Sequence, residues 1–376
     1  MKSSPGRLKS DRTQSMLKII NVVGARPNFM KVAPIMEAMK RRKREFTPLL
    51  VHTGQHYDAD MSDTFFRDLD LPEPDIHLGV GSAPREEQIA AVAERFEPVI
   101  AREQPDWVIV VGDVNSTLAC ARAAKKLATK VAHVEAGLRS YDSSMPEEAN
   151  RVETDQIADL LFTPSTDADN NLRAESIPPG RIRLVGNVMI DSLYQHLERS
   201  RQSPIRDQLG LTEKSYAVLT LHRPSNVDDP LAFGRILVAL ETITEKLPVV
   251  FPVHPRTRKT MATLGLSERI AKMKGLRLIE PLGYLDFLSL YSSARLLLTD
   301  SGGIQEETTV LGIPCLTLRE NTERPITVTM GTNKIVGTDT ARIIAAASAA
   351  LAETSREPVS IPLWDGHTAD RIVDAL

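Results

Sequence analysis

Short apolar segments alternate with helical patterns along almost the whole chain, and this alternation restricts the fold more than any other feature. In the first half, each apolar segment ends just before a polar turn marked by glycine or proline. Such runs, separated by helices, indicate parallel strands covered by helices on both faces of a sheet. The predicted strands of this half are Leu17–Val23, Phe46–His52, Trp107–Val111, Val131–Val134, Leu160–Thr163 and Ile182–Val185, with helices such as Val32–Arg42, Arg85–Arg102, Ser116–Leu127 and Glu147–Asp159 between them.

The second half repeats the scheme, and a length of 376 residues exceeds what one core usually organises. We therefore predict an α/β fold of two doubly wound domains, with ligands bound between the carboxyl ends of their strands. A helix at Ile190–Arg199 runs into a polar stretch, which predicts a boundary within 187–212. The second-half strands are Ala217–Leu221, Val249–Val253, Leu276–Ile279, Leu296–Thr299 and Cys315–Leu318, with helices such as Pro230–Glu245 and Ala341–Glu353. The predicted parts are a disordered arm at 1–16, domains at 17–188 and 189–362, and a helix at 363–376 that could cross back to the first domain.

Charge and composition exclude several classes of partner. The formal net charge of −3 argues against a nucleic-acid binder, so an anionic substrate needs a local positive pocket. No apolar run is long enough to span a membrane, and residues 1–15 lack the apolar stretch of a secretory signal. Cys120 and Cys315 each sit inside an apolar element without the spacing of a zinc site. We therefore expect free thiols, no metal and a cytoplasmic location.

The string LLLTDSGGIQEETTVLGIPCLTLRENTERP carries the strongest functional pattern. Its glycine turn at 301–303 follows an apolar strand and opens a predicted helix, so backbone N–H groups and the helix dipole favour a phosphate there. Glu306 and Glu307 are then placed to accept hydrogen bonds from a ribose diol. Arg319 and Arg324, on the next loop, could close over the same anion. An ordinary glycine turn before a helix is the alternative interpretation.

Polar residues also follow the predicted strands of the first domain, at the edge where such sheets place their sites. Arg26 lies at the first turn, and Lys31 opposes the dipole of the following helix unless an anion lies nearby, a solvated position being the alternative. Asp113 follows a strand, although a helix cap is its simpler role. Glu135 follows another buried strand, where a carboxylate is costly unless it faces a cleft or pairs, for example with Arg139.

Two further groups have an ordinary and a functional interpretation. Glu147, Arg151 and Asp155 recur at every fourth position of a predicted helix, which is typical of a surface ladder of ion pairs. The alternative is a catalytic glutamate that is oriented by the arginine. In the second domain, His222 and His254 each end a strand and each have an arginine nearby, Arg223 and Arg256. Single histidines at such places usually cap or pack, but two equivalent ones predict a rim that faces a phosphate.

Together these strings resemble the non-hydrolysing UDP-N-acetylglucosamine 2-epimerases. The similarity runs from about Lys18 to the C-terminus, in order, through GARPNFMKVAPI, GDVNSTLA, HVEAGLRS, PEEANR, HRPSN, TDSGGIQEE and TERP. The resemblance implies two Rossmann-like domains that face a central cleft, the GT-B-type architecture of many nucleotide-sugar glycosyltransferases. It also implies a homodimer that acts on a UDP-sugar and needs no cofactor.

The resemblance assigns roles to individual residues. Asp113, Glu135 and Glu147 match the catalytic carboxylates of the family. Further matches are Arg26, Lys31, Arg151 and His222 in the active site, Phe287 at the uracil, Ser301, Gly302, Gly303 and Glu307 at the diphosphate and ribose, and Arg324 near the substrate. We add His254 and Arg256 as candidates for substrate binding from their positions alone.

Two strings depart from many bacterial members of this family. This chain reads HRPS at 222–225 where those members read HRRE. It reads GQHYD at 54–58 where they carry a QHR-type string that helps bind a second, activating UDP-N-acetylglucosamine. These departures leave that regulation open, and they permit a variant 2-acetamido sugar as the substrate.

The implied reaction inverts C2 of the sugar, although no carbonyl flanks the C2 proton. The turn at 24–31 lacks the glycine fingerprint of a nicotinamide enzyme, so oxidation at C3 is not expected. Elimination of UDP to a glycal instead needs donors for the diphosphate and proton-transfer groups on both ring faces. Clustered carboxylates should raise one another's pKa, which keeps one protonated. The alternatives are a GT-B glycosyltransferase, a hydrolysing epimerase and a non-catalytic UDP-sugar sensor.

Overall fold

A computed structural model of the chain describes residues 16–54, 68–353 and 359–376. Within them the chain forms two parallel sheets, with strand orders β3-β2-β1-β4-β5-β6-β7 and β10-β9-β8-β11-β12-β13. The first sheet contains β1 Leu17–Val23, β2 Phe46–His52, β3 Ile76–His77, β4 Trp107–Val111, β5 Lys130–Val134, β6 Leu160–Thr163 and β7 Ile182–Leu184. The second contains β8 Ala217–Thr220, β9 Val249–Pro252, β10 Leu276–Ile279, β11 Leu296–Thr299, β12 Cys315–Thr317 and β13 Asn333–Ile335.

Helices cover both faces of each sheet, as the apolar strands require. Ile19 and Ile20, adjacent on β1, lie in different core clusters, and so do Leu297 and Leu298 on β11. No helix within the described ranges is long and apolar enough to cross a bilayer. The helices are α1 Arg26–Arg41, α2 Arg85–Glu103, α3 Asn115–Lys126, α4 Pro146–Ile157, α5 Thr166–Ala174, α6 Val188–Ser200, α7 Ile205–Gln208, α8 Pro224–Val227, α9 Pro230–Thr244, α10 Pro255–Thr263, α11 Ser267–Lys272, α12 Tyr284–Ser292, α13 Gly302–Val310, α14 Ile326–Thr329, α15 Thr340–Ala352 and α16 Thr368–Asp374.

Helix α1 begins earlier than its apolar pattern predicts. The expected start at Val32 is wrong, because the helix already begins at Arg26 and Lys31 lies in its second turn. Proline is common in the first turn of a helix, and Pro27 lies there in α1. The Asn28 side chain also accepts hydrogen bonds from the backbone N–H groups of residues 24 and 25, at 3.1 and 3.0 Å. These local contacts extend the helix into a stretch that has no apolar period.

The C-terminal segment contacts the elements of the first sheet. Trp364 donates its indole N–H to the carbonyl oxygen of Pro164 at 2.8 Å. Asp191 on α6 accepts hydrogen bonds from the backbone N–H groups of Thr368 and Ala369, at 3.1 and 2.7 Å. These contacts hold α16 beside α1, where Ile372 is fully buried. The predicted domain limits remain a prediction, and the arm expected at 1–16 lies, apart from Met16, outside the described residues.

Candidate active site

Residues from separate elements meet at the carboxyl edge of the first sheet. Lys31 on α1 places its Nζ 2.6 Å from Glu135 Oε2, and the two side chains are only 6% and 4% exposed. Asp113, in the turn after β4, forms an ion pair with Arg151 on α4. Parallel strands end at one edge, which is why residues distant in sequence come together here.

The backbone around this cluster is unusual. Glu135 has a φ of 71°, a left-handed conformation that costs a residue with a side chain about 1–2 kcal/mol. Gly112, before Asp113, has a φ of 66°, and a Cβ atom there would lie 2.8 Å from Lys31 Nζ. Glycine at 112 therefore makes room for the lysine. The strain at Glu135 is of the kind that concentrates at functional sites.

Arg151 does not pair with Glu147, so the expectation that it orients that carboxylate is wrong. The guanidinium instead binds Asp113 and lies 2.6 Å from Glu148 Oε2. Glu148 also accepts hydrogen bonds from two backbone N–H groups of the loop after β5, each at 3.0 Å. The surface ladder is wrong as well, because Arg151 and Asp155 are 1% and 0% exposed. Because a buried charge must be paired, Arg151 contacts Asp113 and Glu148 rather than Glu147, one helical turn away.

Glu147 lies in the first turn of α4 and is partly exposed. Among the described residues, none forms a hydrogen bond or ion pair with its carboxylate. Its neighbour Glu148 is fully occupied in holding the loop and Arg151. The Glu147 carboxylate is therefore the less engaged of the two, and its contact with a substrate remains a prediction.

The charges around Asp113 decide its protonation. Burial opposes ionisation, but the positive charges of Arg151 and Lys31 outweigh burial and lower the pKa of Asp113. The expectation that clustering raises carboxylate pKa values is thus wrong for this residue, because cations surround it. Raised values occur instead on α13, the helix after β11, where burial raises the pKa values of Glu306 and Glu307 to about 7.

Arg324 joins the two sheets at this site. It follows β12, yet its Nη2 lies 3.1 Å from Glu135 Oε1 on the first sheet. The same guanidinium contacts Glu306 at 2.9 Å and Glu323 at 2.5 Å. Burial disfavours its charge, but these three carboxylates outweigh burial and raise the pKa of Arg324. The arginine is therefore a buried, permanently charged cation beside the acid cluster.

The glycine turn at 301–303 is built around this arginine. Ser301 is the N-cap residue of α13, and Gly302 is its first residue. A Cβ atom at Gly302 would lie 2.4 Å from Arg324 Nη1, so glycine is required for the arginine to cross the helix N-terminus. A Cβ at Gly303 would have its nearest contact at Met189 Cε, 3.5 Å away. The helix dipole and the backbone N–H groups at this N-terminus favour an anion, but a phosphate at this turn remains a prediction.

Two residues near this turn have other roles than expected. Glu306 forms an ion pair with Arg324 and is 1% exposed, so it does not offer its carboxylate to a ribose. Arg319 does not close over an anion, because its Nη2 lies 2.8 Å from Glu323 Oε2. Both side chains hold the buried charge network instead.

Glu307 on α13 and Phe287 on α12 are the residues expected to contact the nucleoside. The Glu307 carboxylate accepts hydrogen bonds from the hydroxyls of Tyr284 and Tyr291, at 3.2 and 2.8 Å. Each carboxylate oxygen has a second lone pair, so contact with a ribose remains a prediction. Phe287 is half-buried, with its ring centroid 5.1 Å from that of Tyr291. Its contact with uracil is likewise still a prediction.

The two histidines end neighbouring strands of the second sheet and are exposed. His222 Nδ1 lies 2.8 Å from Asp300 Oδ1. His254 is the N-cap residue of α10 and accepts a hydrogen bond from the backbone N–H of Arg256 at 3.3 Å. The Arg256 guanidinium pairs with Asp228, so the structure does not place it on a rim that faces a phosphate.

Two of the expected sites involve residues that the structure does not describe. The Arg26 side chain and residues 55–67 are outside the described part, so the roles expected for Arg26 and for the string at 54–58 stay predictions. Arg139 is not the partner of Glu135; its Nη1 lies 2.7 Å from Asp155 Oδ2. Glu148 was not predicted, although its spacing of three residues from Arg151 was a signal. Asp300 and Glu323 were not predicted either, and no spacing rule indicates them.

Comparison with known proteins gives a consistent picture. A UDP-N-acetylglucosamine 2-epimerase from Methanocaldococcus jannaschii is 40% identical over 365 residues, 96% of this chain and 99% of that protein. A UDP-2,3-diacetamido-2,3-dideoxy-D-glucuronate 2-epimerase from Pseudomonas aeruginosa is 39% identical over 364 residues, 96% of this chain and 99% of the relative. The crystal structure of the M. jannaschii enzyme in complex with UDP-GlcNAc and UDP superposes with a TM-score of 0.89, at 40% identity and over 96% of this chain and 99% of that one.

The fold and the ordered motifs agree with this similarity. Two parallel sheets of the GT-B type meet at a cluster of acids and cations, as in a fold that binds nucleotide sugars. Residues 37–376 match the family described as UDP-N-acetylglucosamine 2-epimerase. With that match and relatives of about 40% identity along nearly the whole chain, the protein belongs to the UDP-N-acetylglucosamine 2-epimerase family.

Proposed function

We propose that this protein catalyses the reversible C2 epimerisation of UDP-N-acetylglucosamine to UDP-N-acetylmannosamine, or of a closely related UDP-2-acetamido sugar. The observation that carries the proposal is the contact of Arg324, over the helix N-terminus at 301–303, with Glu135 in the acid cluster. A seat for a diphosphate thus adjoins groups that can move a proton. The M. jannaschii relative, solved with UDP-GlcNAc and UDP, supports the same ligand class.

The first half of the reaction is an elimination. The C1–O bond breaks and its electron pair leaves with the diphosphate of UDP. Arg324 and the N–H groups at the start of α13 stabilise this developing charge. A carboxylate takes the C2 proton as the C1–C2 double bond forms, which gives a glycal and UDP. Asp113, with its lowered pKa, is ionised near neutrality and suited to accept that proton.

The second half reverses these steps on the other face of the ring. A protonated acid returns one proton to C2 from the opposite side, and the diphosphate oxygen of UDP adds back to C1. Inversion therefore needs acids on two sides of the sugar, for which Glu135 and Glu147 are the remaining candidates. Oxidation of the sugar is not required, so the reaction needs no nicotinamide. Exclusion of water between the sheets protects the glycal.

One experiment distinguishes the proposal from its alternatives. Purified protein is incubated with UDP-N-acetylglucosamine in D2O, without NAD or added metal, and the products are followed by NMR. The proposal requires deuterium at C2 and the formation of UDP-N-acetylmannosamine. Free N-acetylmannosamine with UDP would indicate a hydrolysing epimerase. Binding without C2 exchange would indicate a glycosyltransferase or a sensor and would contradict the proposal.

The same assay tests which UDP-sugar is preferred, since the P. aeruginosa relative is named for a diacetamido glucuronate. Running UDP-N-acetylglucosamine against UDP-2,3-diacetamido-2,3-dideoxyglucuronate compares the two sugars directly. A ratio of kcat/KM above about 10 in favour of one sugar, or about 1.4 kcal/mol, would identify the preferred class.

The proposal includes a homodimer that works in the cytoplasm. Cys120 and Cys315 are both free and buried, which supports a reducing compartment. Light scattering coupled to gel filtration tests the assembly. A mass of one chain, 41.5 kDa, at working concentration would contradict the dimer.

A further inference from the structure

His133 on β5 is fully buried behind the acid cluster, and the reaction as described does not use it. Its Nδ1 lies 2.7 Å from Asp155 Oδ1, and its Nε2 lies 2.8 Å from the carbonyl oxygen of Gly112. Gly112 immediately precedes Asp113, and His133 precedes Glu135 by two residues. One imidazole ring therefore joins the segments that carry two of the acids.

Both groups beside the ring accept hydrogen bonds. A carbonyl oxygen such as that of Gly112 can only accept. Asp155 Oδ2 already receives the backbone N–H of Gly137 at 3.0 Å and lies 2.7 Å from Arg139 Nη1, and both contacts favour an ionised carboxylate. Acceptors at both ring nitrogens require two N–H groups, so the geometry describes an imidazolium.

The charges around the ring balance only in that state. Arg139 also donates to both carboxylate oxygens of Glu175, at 2.7 Å each. With His133 protonated, this cluster has two cations and two anions, as buried ions require. Lys31, on α1, also approaches this turn, because a Cβ atom at Gly112 would lie 2.8 Å from its Nζ. Arg151 pairs with Asp113, the next residue of the turn.

We propose that His133 is a positioning residue, held as an imidazolium, that fixes Asp113 and Glu135 relative to each other. The inference rests on the proposed epimerase function. Through the carbonyl of Gly112, the ring fixes the turn from which Asp113 projects. Through Asp155 it fixes the backbone two residues beyond Glu135, and it ties both to α4, which carries Glu147. Displacing such groups by 1 Å can lower turnover about 100-fold.

The charge state can be measured on the unmodified protein, independently of any activity. Protein labelled with 15N-histidine gives two-bond 1H–15N correlations, and His133 is assigned through its backbone connectivity among the eight histidines. We expect protons on both ring nitrogens at pH 7, because each nitrogen faces an acceptor. A ring with one unprotonated nitrogen at pH 7 would overturn the inference, even if the enzyme proved to be an epimerase. Loss of C2 exchange in the unmodified protein would instead count against the proposed function alone.

Matched variants test the positioning role. His133→Gln keeps a donor toward Gly112 and His133→Asn keeps one toward Asp155, so neither supplies both. For each folded variant we expect kcat to fall about 10- to 100-fold while KM changes less than about 3-fold, because the nucleotide seat lies on the other sheet. His367→Gln, at a side chain that is 71% exposed, is the control and should change neither value. Unchanged kcat in a folded variant would contradict the role, and if neither variant folds, the NMR result decides.

Discussion

Glu135 has an unfavourable backbone conformation, and its charge is buried. Its backbone is left-handed, and its carboxylate is the counter-ion of the buried Lys31 and Arg324. Removing one partner of a buried ion pair typically costs 3–5 kcal/mol, because the other charge stays unpaired. Substitution at Glu135 therefore disturbs folding as well as turnover, and activity must be expressed per folded molecule.

Conservative replacement of the three acids tests their assignment. We expect Asp113→Asn, Glu135→Gln and Glu147→Gln each to lower kcat at least about 100-fold, a typical acid–base contribution. The measurement is the rate of deuterium incorporation at C2 by NMR. Glu153→Gln is the control, since this residue of α4 makes a surface pair with Arg122 and should leave the rate unchanged. Near-normal rates in all three variants would defeat the assignment.

The sequence could identify most of these residues but not their pairings. Asp113 and Glu135 stand out because a carboxylate directly after an apolar strand needs a special environment. The partner predicted for Arg151 was wrong. Spacing within a helix indicates Glu147, whereas the observed partner, Asp113, lies in the turn after β4. Only the register of the sheet decides which cation meets which acid.

At the level of single elements, the start of α13 depends on one of its two glycines. Gly302→Ala would place a Cβ atom 2.4 Å from Arg324 Nη1 and 2.7 Å from Glu323 Oε1. We expect a loss of about 1–3 kcal/mol in the free energy of unfolding, typical of overpacking. Gly303→Ala is the matched control for urea denaturation, because its nearest contact is 3.5 Å away. Equal destabilisation by both variants would show that the glycines act only through the backbone.

Glu307 on the same helix should make stability depend on pH. Burial raises its pKa from the usual value to about 7, so the folded state binds this proton more tightly than the unfolded state. The resulting stabilisation is complete below pH 4.5 and is lost as pH rises through about 7. The free energy of unfolding of the wild type should therefore fall relative to Glu307→Gln between pH 5.5 and 8.5, by about 2 kcal/mol.

Urea denaturation at several pH values measures this difference. Glu280→Gln, at a side chain that is 80% exposed, provides the comparison and should remain parallel to the wild type. A constant difference between the wild type and Glu307→Gln over this range would mean that the carboxylate does not titrate there.

Strands were easier to predict than helix starts or edge strands. All eleven strands predicted from apolar runs are present, with ends within one residue, because a strand buried on both faces must be apolar throughout. β3 and β13 were missed, since a pair of residues and the polar triplet Asn333–Ile335 have no apolar period. The start of α1 depends on the capping contacts of Asn28, which no periodicity contains.

For the whole molecule, Asp191 connects the returning C-terminal segment to α6. Its carboxylate receives two backbone N–H groups at the start of α16. We expect Asp191→Ala to lower the free energy of unfolding by about 1–2 kcal/mol, as for loss of a helix cap, and to speed hydrogen exchange in 359–376. Asp370→Asn removes an exposed ion pair with Arg41 and should cost less than about 1 kcal/mol. Unchanged exchange in Asp191→Ala would contradict this role.

The return of α16 to α1 also has a consequence for synthesis of the protein. Arg41 and Asp370 touch although 329 positions separate them, and Ile372 and Val373 fill the core beneath α1. A nascent chain therefore cannot complete the packing of its first sheet until residues 359–376 have left the ribosome. Until then an apolar groove stays open to water and chaperones, so slower elongation through the second half would lengthen the period of greatest risk of aggregation.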